Sequence, residues 1–449
     1  MARNLGVHTV LFYDATRMLW LTDILYFLAG LVYLPFAIYN ALVLRKNRRD
    51  WGQRFGFVPT FAPSRNRIWI HGVSLGEINS TPKLVAALRE RLPDYDIVVS
   101  STTDTGYQRA VTLFGQPNVF RFPLDFSFAM RKALRRIAPS LIVLMELEVW
   151  PNLVRMASRK GISVAVVSGR LTERSSRRLA MLGKPIRSVF AKLAWVGAQD
   201  ETIATRFRKL GVPPERIEVT SSLKWDTAEI TDRVSGQDDL AKELGLTDQN
   251  LLWVCGSTGP GEESIILDAY RALSLSKIPT ILCVVPRKPE RFEEVAELIS
   301  SSGFRCLRRS KKQALLLDQQ RDVQRSNNVL LGDTMGELRR FYALADFVFI
   351  GRSLVPLGGS DPIEAAALAK PLLWGPHMEN FLEPSLAFQQ AGAAIVVNES
   401  SSLARTLESL IGDKELRRRL GQTAQEVVRS RQGATRRTVD RLVAEVEKH

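Results

Sequence analysis

Short apolar runs alternate with amphipathic segments along most of the chain. From residue 67 the runs read RIWIHGVS, DIVVSST, SLIVLMELE, SVAVVSG and AWVGAQ. After a polar, acidic stretch near residues 226–248 the rhythm restarts with LLWVCGST, TILCVVPR, VLLGDT, FVFIGRS, PLLWGP and AAIVV. Uninterrupted apolar runs between helical patterns are typical of parallel strands with helices on both faces. The pattern therefore predicts two Rossmann-like α/β domains.

The length of the chain agrees with two domains, because 449 residues with 45% hydrophobic content can form two cores of ordinary size. We place the first α/β domain at residues 51–228 and the second at residues 229–449, with residues 1–50 as an N-terminal anchor and basic flank. The final segment, residues 415–449, is typical of long helices. These helices either cross back onto the first domain or pair with a partner helix.

An uncharged stretch from Ile24 to Leu44 has about the length that spans a bilayer. Pro35 and Asn40 interrupt it, so an interfacial helix remains an alternative to a spanning one. The cluster that follows it is more basic than its N-terminal side, which predicts a cytoplasmic location for the rest of the chain. The cluster consists of Arg45, Lys46, Arg48 and Arg49, against Arg3 and Arg17 before the stretch.

The net charge of +15 lies almost entirely in the first half. Residues 1–228 hold 33 Lys and Arg against 17 Asp and Glu, a net +16, whereas residues 229–449 hold 29 against 30, a net −1. Two basic runs, at residues 131–136 and 174–178, contain no aromatic residue on which a base could stack, so nucleic acid is disfavoured as a partner. With an anchor in front, anionic lipid of the inner membrane is the partner that the charge favours.

The cysteines and histidines are too sparse for a disulfide framework or a zinc site. The only ones are Cys255, Cys283, Cys306, His8, His71, His377 and His449. Neither a G-x-G-x-x-G fingerprint nor a P-loop is present, which disfavours a dinucleotide cofactor and a P-loop nucleotide. A different nucleotide is expected.

The stretch HGVSLGEINS, residues 71–80, places Glu77 just after the first strand of the first domain. Two interpretations stay open. Ser74 and Glu77 match a helix capping box, in which each side chain satisfies a free backbone N–H. Alternatively, Glu77 lines the ligand crevice, because ligands bind beyond the carboxyl ends of the strands in open α/β sheets.

The second domain has several small-residue turns where a strand leads into a helix. They are Gly256-Ser257-Thr258, Gly332-Asp333-Thr334 with Met335-Gly336-Glu337, and Gly358-Gly359 before Asp361-Pro362-Ile363-Glu364. Helix N-termini after such turns suit phosphate, although ordinary turns use the same residues. Arg287 adds a cation at another strand end, where its guanidinium can hold a phosphate.

Taken together, these motifs resemble the transferases that add 3-deoxy-D-manno-octulosonic acid (Kdo) to lipid A precursor. The resemblance runs from the anchor to near residue 400. The matching stretches are WGQRFG, VSLGE, TDTGY, MELEVWPN, GRLTERS, SSLKWD, GSTGPGEES, VPRKPERF, LGDTMGEL, GGSDPIEAAA and GPHMENF. The family implies the GT-B fold, with two facing Rossmann-like domains and an N-terminal membrane-anchor helix.

The resemblance implies inverting transfer of Kdo from CMP-Kdo to lipid A precursor (lipid IVA) at the cytoplasmic face of the inner membrane, with no metal or other cofactor. By position, Glu77 would be the general base, and Glu146 and Lys224 would stabilise the transition state. A carboxylate and an ammonium group suit the charges that develop when the anomeric carbon is displaced. The residues that would contact CMP are Pro286, Arg287, Met335, Gly336, Glu337, Asp361, Pro362, Ile363 and Glu364.

The chain departs from the family pattern in the second domain. The family usually has histidine at the positions of Gly259, Lys288 and Ser360, and asparagine at that of Asp361. An acid at residue 361 adds negative charge beside a phosphate, which weakens binding unless a cation such as Lys288 compensates. The alternatives are therefore a transferase for another CMP-activated 3-deoxy sugar acid or acceptor lipid, and an inactive membrane-anchored binding protein.

Overall fold

The computed structural model of the protein describes residues 18–32, 34–36, 39, 50–61, 66–247, 250–273, 279–313 and 327–448. The described chain divides into two compact units. The first unit comprises Met1–Thr227 and Gln432–His449, and the second comprises Ala228–Arg431. Each unit contains one parallel sheet, so the predicted pair of parallel α/β sheets is observed.

The first unit contains a seven-stranded parallel sheet in the order β3-β2-β1-β4-β5-β6-β7. Its strands are β1 (Arg67–His71), β2 (Asp96–Ser101), β3 (Val119–Arg121), β4 (Leu141–Met145), β5 (Ser163–Gly169), β6 (Trp195–Ala198) and β7 (Ile217–Val219). The order runs outward in both directions from the β1–β4 pair. This pair is therefore the topological switch point, outside which ligands bind in such sheets.

Helices on both faces cover this sheet. They are α1 (helical at residues 18–32 and 34–36), α2 (Trp51–Arg54), α3 (Leu75–Asn79), α4 (Pro82–Arg91), α5 (Asp104–Phe114), α6 (Ser127–Ile137), α7 (Pro151–Arg159), α8 (Glu173–Met181), α9 (Lys184–Phe190) and α10 (Glu201–Lys209). Successive strand residues point to opposite faces, and both faces are apolar. Trp69 belongs to the core on one face, whereas its neighbours Ile68 and Ile70 belong to the core on the other.

The second unit repeats the architecture, with the strand order β10-β11-β9-β8-β12-β13-β14. The strands are β8 (Leu251–Thr258), β9 (Thr280–Pro286), β10 (Arg305–Arg308), β11 (Asn328–Leu331), β12 (Phe347–Ile350), β13 (Leu372–Trp374) and β14 (Ala394–Val396). The helices are α11 (Gln237–Leu244), α12 (Glu263–Ala272), α13 (Phe292–Ser301), α14 (Leu338–Leu344), α15 (Ile363–Ala367), α16 (Leu382–Gln390), α17 (Ser400–Gly412) and α18 (Lys414–Arg431). Its switch point is the β8–β12 pair.

The last helix, α19 (Ala434–Val446), belongs to the first unit and not to the second, where the sequence analysis placed it. Gly433, with φ +91°, separates it from α18. The carboxylate of Asp226 accepts the N–H of Gly433 at 2.7 Å and also the N–H of Thr435, which satisfies the start of α19. Leu442 packs in the same core as Ile68 and Ile70. The tail therefore returns to the first unit, which was one of the two predicted alternatives.

Polar side chains hold α1 to the first unit. The hydroxyl of Tyr26 donates to Asp125 at 3.0 Å, Asp23 accepts the backbone N–H of Ser127 at 2.9 Å, and Arg155 donates to Thr22 at 2.9 Å. Among the described residues, no helix has the length and apolar character needed to cross a bilayer. Part of the predicted Ile24–Leu44 stretch and the basic cluster after it lie outside the described residues.

Candidate active site

Glu77 and Glu146 follow the two strands that form the switch point of the first unit. A short loop joins β1 to α3, and Glu77 is the third residue of α3. Glu146 directly follows β4. Because β1 and β4 are hydrogen-bonded neighbours, their carboxyl ends bring the two loops together. The position that the sequence predicted for Glu77 is therefore the crevice position of an open α/β sheet.

Glu77 takes part in capping of α3, as the first interpretation predicted. The hydroxyl of Ser74 accepts the backbone N–H of Glu77 at 3.3 Å, and it donates to one Glu77 carboxylate oxygen at 2.8 Å. The other oxygen accepts the backbone N–H of Val73 at 2.9 Å. Burial raises the pKa of Glu77, the hydrogen bond from Val73 opposes it, and the nearby charge of Glu146 adds to the rise. A carboxylate of raised pKa is a stronger base, so the capping geometry leaves the catalytic interpretation intact.

Glu146 and Lys224, to which the resemblance assigns a shared role in the transition state, form an ion pair in the first unit. The Lys224 Nζ lies 3.1 Å from Glu146 Oε1, and Arg170 approaches Glu146 Oε2 at 3.9 Å. Glu146 has φ +51°, a left-handed conformation that is uncommon for a residue with a side chain and is often found at functional sites. Lys224 lies on a 3-10 turn, Leu223–Asp226. The N–H of Leu223 donates to the hydroxyl of Ser168 at 2.9 Å, which fixes the start of this turn.

Glu148 and His71 extend this cluster. The Trp150 indole donates to Glu148 Oε2 at 3.0 Å, and His71 Nε2 lies 4.0 Å from the same oxygen. His71 is fully buried, and burial lowers its pKa to about 3, so the ring is neutral. Its Nδ1 lies 3.2 Å from the Ser100 carbonyl oxygen, which can only accept, so we assign the proton to Nδ1 and the lone pair to Nε2.

The pKa of Glu148 is raised to about 7, first by burial and then by the charge of Glu77. The lone pair on His71 Nε2 faces it and offers no compensating positive charge. The first unit therefore presents carboxyl groups with two different tendencies. Glu146 forms an ion pair with Lys224, whereas the raised pKa of Glu148 leaves it partly protonated near neutral pH.

Glu148→Gln is expected to stabilise the first unit above pH 7 and to leave its stability unchanged near pH 4. The folded-state pKa of Glu148 exceeds the ordinary value of 4.5. The stability that protonated Glu148 provides is therefore complete below pH 4.5 and is lost as the pH rises through about 7, by roughly 3 kcal/mol. Glutamine resembles the protonated acid and does not titrate. Thermal unfolding of both proteins at pH 4 and pH 8 measures the difference, with exposed Glu215→Gln as the control.

An equal shift of the unfolding midpoint at both pH values would contradict this assignment. It would show that Glu148 is ionised throughout the range, and that the substitution acts through packing alone.

In the second unit, several predicted donor residues lie around the β8–β12 switch point. Arg287 follows Pro286 at the end of β9, and its N–H donates to the Thr258 carbonyl at 3.0 Å. The hydroxyl of Ser360 lies 3.4 Å from the Ser257 carbonyl. Arg287 and Lys288 are exposed there. These contacts bring the ends of β8, β9 and β12 together, as a nucleotide site at the switch point requires.

Glu364 is close enough to Arg287 for the two charges to interact. It lies in α15, after Pro362 and beside Ile363. Burial raises the pKa of Glu364, and the charges of Arg339 and Arg287 oppose that rise. Asp361 accepts the N–H of Ile363 at 2.9 Å. An asparagine side chain has the same acceptor oxygen, so this local contact does not depend on the change from amide to acid.

Met335, Gly336 and Glu337 follow β11, which β9 separates from β8. The Glu337 carboxylate pairs with Arg309, at 3.2 Å from its Nε, and with Arg340 at 3.3 Å. Burial acts to raise the pKa of Glu337, but hydrogen bonds from Thr334 and Arg309 outweigh it and the pKa is lowered. The carboxylate of Glu337 is therefore paired with arginines of the same unit. A ligand at this turn would contact its backbone groups.

Glu148, His71 and Arg170 were not among the site residues predicted from the sequence. The signal for Glu148 was available, because it lies two residues after Glu146 in the same matching stretch, MELEVWPN. His71 carried no signal beyond its place at the end of an apolar run. The His71 ring stacks on Phe122, with the ring centroids 3.7 Å apart, and both this contact and the approach to Glu148 arise only in the tertiary structure.

Comparison with known proteins agrees with the resemblance. The family model for 3-deoxy-D-manno-octulosonic-acid transferase (kdotransferase) matches residues 49–227. The chain is 33% identical over 407 residues to the 3-deoxy-D-manno-octulosonic acid transferase of Haemophilus influenzae, a match that covers 90% of this chain and 92% of that protein. It is 34% identical over 419 residues to the Bordetella pertussis protein of the same name, covering 89% of this chain and 94% of that protein.

A solved structure supports the fold. The crystal structure of a glycosyltransferase from Rickettsia africae ESF-5 matches with a TM-score of 0.53 at 10% identity, covering 86% of this chain and 100% of that one. A match at this identity concerns the fold alone, and with the two parallel sheets it confirms the predicted α/β architecture of GT-B type. Because of the identity shared with full-length transferases over most of its length, this chain belongs to the 3-deoxy-D-manno-octulosonic acid transferase family and is a glycosyltransferase.

Proposed function

We propose that this protein transfers Kdo from CMP-Kdo to lipid A precursor (lipid IVA), with inversion at the anomeric carbon, on the cytoplasmic face of the inner membrane. The observation that carries the proposal is the pairing of Lys224 with Glu146 beside Glu77, at the switch point of the first unit. These three residues are the ones that the family resemblance assigns to catalysis. Their roles are part of the proposal.

In the proposed reaction, the acceptor hydroxyl oxygen forms a bond to the anomeric carbon of Kdo while the bond from that carbon to the phosphate oxygen breaks. The electron pair of the broken bond leaves with CMP. Glu77 takes the proton from the attacking hydroxyl, because its carboxylate is buried and its pKa is raised. Glu146 stabilises positive charge on the sugar, and Lys224, whose Nζ lies 3.1 Å from Glu146 Oε1, holds that carboxylate in position.

The surroundings of Gly259 favour an alternative in which the sugar donor is not CMP-Kdo. A histidine expected at residue 259 is replaced by glycine, and the side chains of Leu357 and Arg352 occupy the space that a side chain there would need. The donor site therefore differs in shape from the one that the family pattern leads us to expect. Transfer of another CMP-activated 3-deoxy sugar acid is the second candidate function.

The donor half of the proposal is tested by titrating the purified protein with CMP, UMP and cytidine. We expect CMP to bind more tightly than UMP, and cytidine to bind weakly because it lacks the phosphate. Equal affinity for CMP and UMP, or no binding of either, would contradict a CMP-sugar donor.

The membrane part of the proposal rests on the exposed apolar side chains of α1. Polar residues in the first part of α1, up to Tyr26, contact the rest of the first unit, whereas residues 27–32 and 34–36 are all exposed. The exposed side chains are Trp20, Leu21, Ile24, Leu25, Phe27, Leu28, Leu31, Val32, Leu34 and Phe36. Exposed apolar surface of this extent is typical of a contact with a membrane or another protein.

A row of aromatic rings continues from α1 across the surface of the first unit. Tyr26 contacts Phe126 with ring centroids 5.9 Å apart, Phe126 stacks on Phe128 at 5.8 Å, and Phe128 stacks on Phe55 at 6.4 Å. Trp51 follows at 5.9 Å from Phe55. Trp51, Phe55 and Phe128 are exposed. Aromatic residues of this kind favour the level of the lipid headgroups, so the row supports attachment to the membrane surface.

Replacing Leu25, Leu28 and Val32 together by Glu is expected to lower the fraction of protein that sediments with anionic phospholipid vesicles at least tenfold. Burying each of these side chains in lipid contributes roughly 1–2 kcal/mol, and the acids reverse this term. The matched control is Leu386→Glu, an exposed leucine of the second unit. Unchanged sedimentation of the triple variant would show that α1 does not contact lipid.

A further inference from the structure

Arg352 has an unusual backbone conformation at the switch point of the second unit. It follows β12 by two residues and has φ +62°, and Ser257, on the neighbouring strand β8, has φ +59°. Residues with side chains seldom adopt this region, and those that do are concentrated at functional sites. Gly351, between β12 and Arg352, has no room for a side chain, because a Cβ there would lie 2.6 Å from the Ser257 carbonyl oxygen.

A buried carboxylate fixes the backbone at Arg352. Glu262, which has no exposed surface, accepts the N–H of Gly259 at 2.8 Å, the N–H of Ser353 at 3.1 Å and the N–H of Arg352. These contacts tie the loop after β8 to the loop after β12. The direction in which the Arg352 side chain leaves the backbone is therefore set by Glu262 through main-chain groups, and does not depend on the side chain itself.

The side chain of Arg352 takes the space beside Gly259. A Cβ at residue 259 would lie 3.0 Å from Arg352 Cγ and 2.6 Å from Leu357 Cδ1. A side chain at residue 259 would therefore require the side chain of Leu357 or Arg352 to move. Glycine at residue 259 and arginine at residue 352 form one matched arrangement in this chain.

The charged end of Arg352 is available for a ligand. Its Nη2 donates to the Leu357 carbonyl at 2.9 Å, and within the described ranges no carboxylate pairs with the guanidinium. Arg287 is close by, because its N–H bonds to Thr258, the residue before Gly259. Two arginines thus leave the backbone around one turn at the switch point, where a guanidinium can offer several N–H donors to a phosphate or a carboxylate.

We propose that Arg352 binds an anionic group of the donor, either the phosphate of the CMP moiety or the carboxylate of the sugar acid. The inference rests on the proposed use of a CMP-activated sugar acid and adds a donor-binding residue to it. It also gives a reason for the glycine at residue 259, which makes room for this arginine.

The test compares Arg352→Asn and Arg352→Lys with the wild-type protein. Asparagine tolerates a left-handed backbone and removes the charge, whereas lysine keeps the charge and loses the planar array of donors. Both variants should fold, because Glu262 contacts only backbone groups of this loop. Arg419→Gln, an exposed arginine of α18, is the matched control.

Two readouts distinguish the two anionic groups. If Arg352 contacts the phosphate, Arg352→Asn will weaken CMP binding roughly 10- to 30-fold. If it contacts the sugar carboxylate, CMP affinity will stay unchanged and the KM for CMP-Kdo will rise by a similar factor, with a smaller change in kcat. In either case Arg352→Lys should recover part of the loss, and Arg419→Gln should match the wild type.

An Arg352→Asn protein whose CMP affinity and KM for CMP-Kdo both stay within twofold of wild type would overturn the inference. Failure of the wild-type protein to bind CMP would instead overturn the proposed function, and the role of Arg352 with it.

Discussion

Glu77→Gln is expected to lower the rate of Kdo transfer by about 10²–10⁴-fold and to leave the affinity for CMP within about twofold of wild type. A sugar hydroxyl is a weak nucleophile, and glutamine cannot take its proton. Binding of CMP should persist because the predicted CMP contacts all lie in the second unit. Single-turnover rates together with CMP titration measure the two effects separately.

The substitution is conservative for the fold. Glutamine keeps an acceptor oxygen for the N–H of Val73, and the Ser74 hydroxyl still accepts the N–H of residue 77. Glu90→Gln, on the exposed side of α4, is the control for loss of one negative charge. A Glu77→Gln enzyme that transfers Kdo at more than a tenth of the wild-type rate would show that Glu77 only caps α3.

Glu146→Gln and Lys224→Gln are each expected to lower kcat by about 10²-fold, and the double variant is expected to be little worse than either single one. The two side chains form one unit, since Lys224 Nζ lies 3.1 Å from Glu146 Oε1 and both are largely buried. Removal of Glu146 leaves Lys224 without its carboxylate partner, and removal of Lys224 leaves Glu146 with only the longer contact to Arg170, at 3.9 Å. The measurement is a double-mutant cycle on kcat.

The control cycle uses an exposed ion pair of the same unit, Arg177 with Glu173 on α8. Its removal should leave kcat unchanged, because exposed pairs contribute little. If the effects of Glu146→Gln and Lys224→Gln were fully additive, the two residues would act independently, and a joint role in the transition state would be contradicted.

The central strands of both sheets could be predicted from the sequence, and three edge strands could not. The apolar runs named from the sequence correspond to strands β1, β2, β4, β5, β6, β8, β9, β11, β12, β13 and β14. The strands without a predicted run, β3, β7 and β10, are all at sheet edges. An edge strand pairs on one side only and is short, so charged residues such as Arg305 and Glu218 break the apolar pattern.

The two interpretations of Glu77 turned out to be compatible, which spacing alone could not show. A capping box and a crevice carboxylate use the same residue in the same place, because the helix begins at the end of the strand. The role of Glu148 could not be foreseen, since its raised pKa depends on burial and on the nearby charges of Glu77 and Glu146. These are tertiary effects.

The end of the second domain was predicted wrongly because α18 and α19 both have helical patterns and only Gly433 lies between them. Two tertiary contacts place α19 in the first unit: the carboxylate of Asp226 accepts N–H groups at the start of the helix, and Leu442 packs in the core with Ile68 and Ile70. The sequence also could not predict what occupies the space beside Gly259, because the side chain of Arg352, which lies there, comes from a distant part of the chain.

The most direct test of the central claim is mass spectrometry of lipid A precursor after incubation with the purified, detergent-solubilised protein and CMP-Kdo generated in situ. We predict that the lipid gains the mass of one or more Kdo residues with the wild-type protein and gains none with Glu77→Gln. A lipid of unchanged mass, from a wild-type protein that binds CMP, would contradict transfer of Kdo to this acceptor.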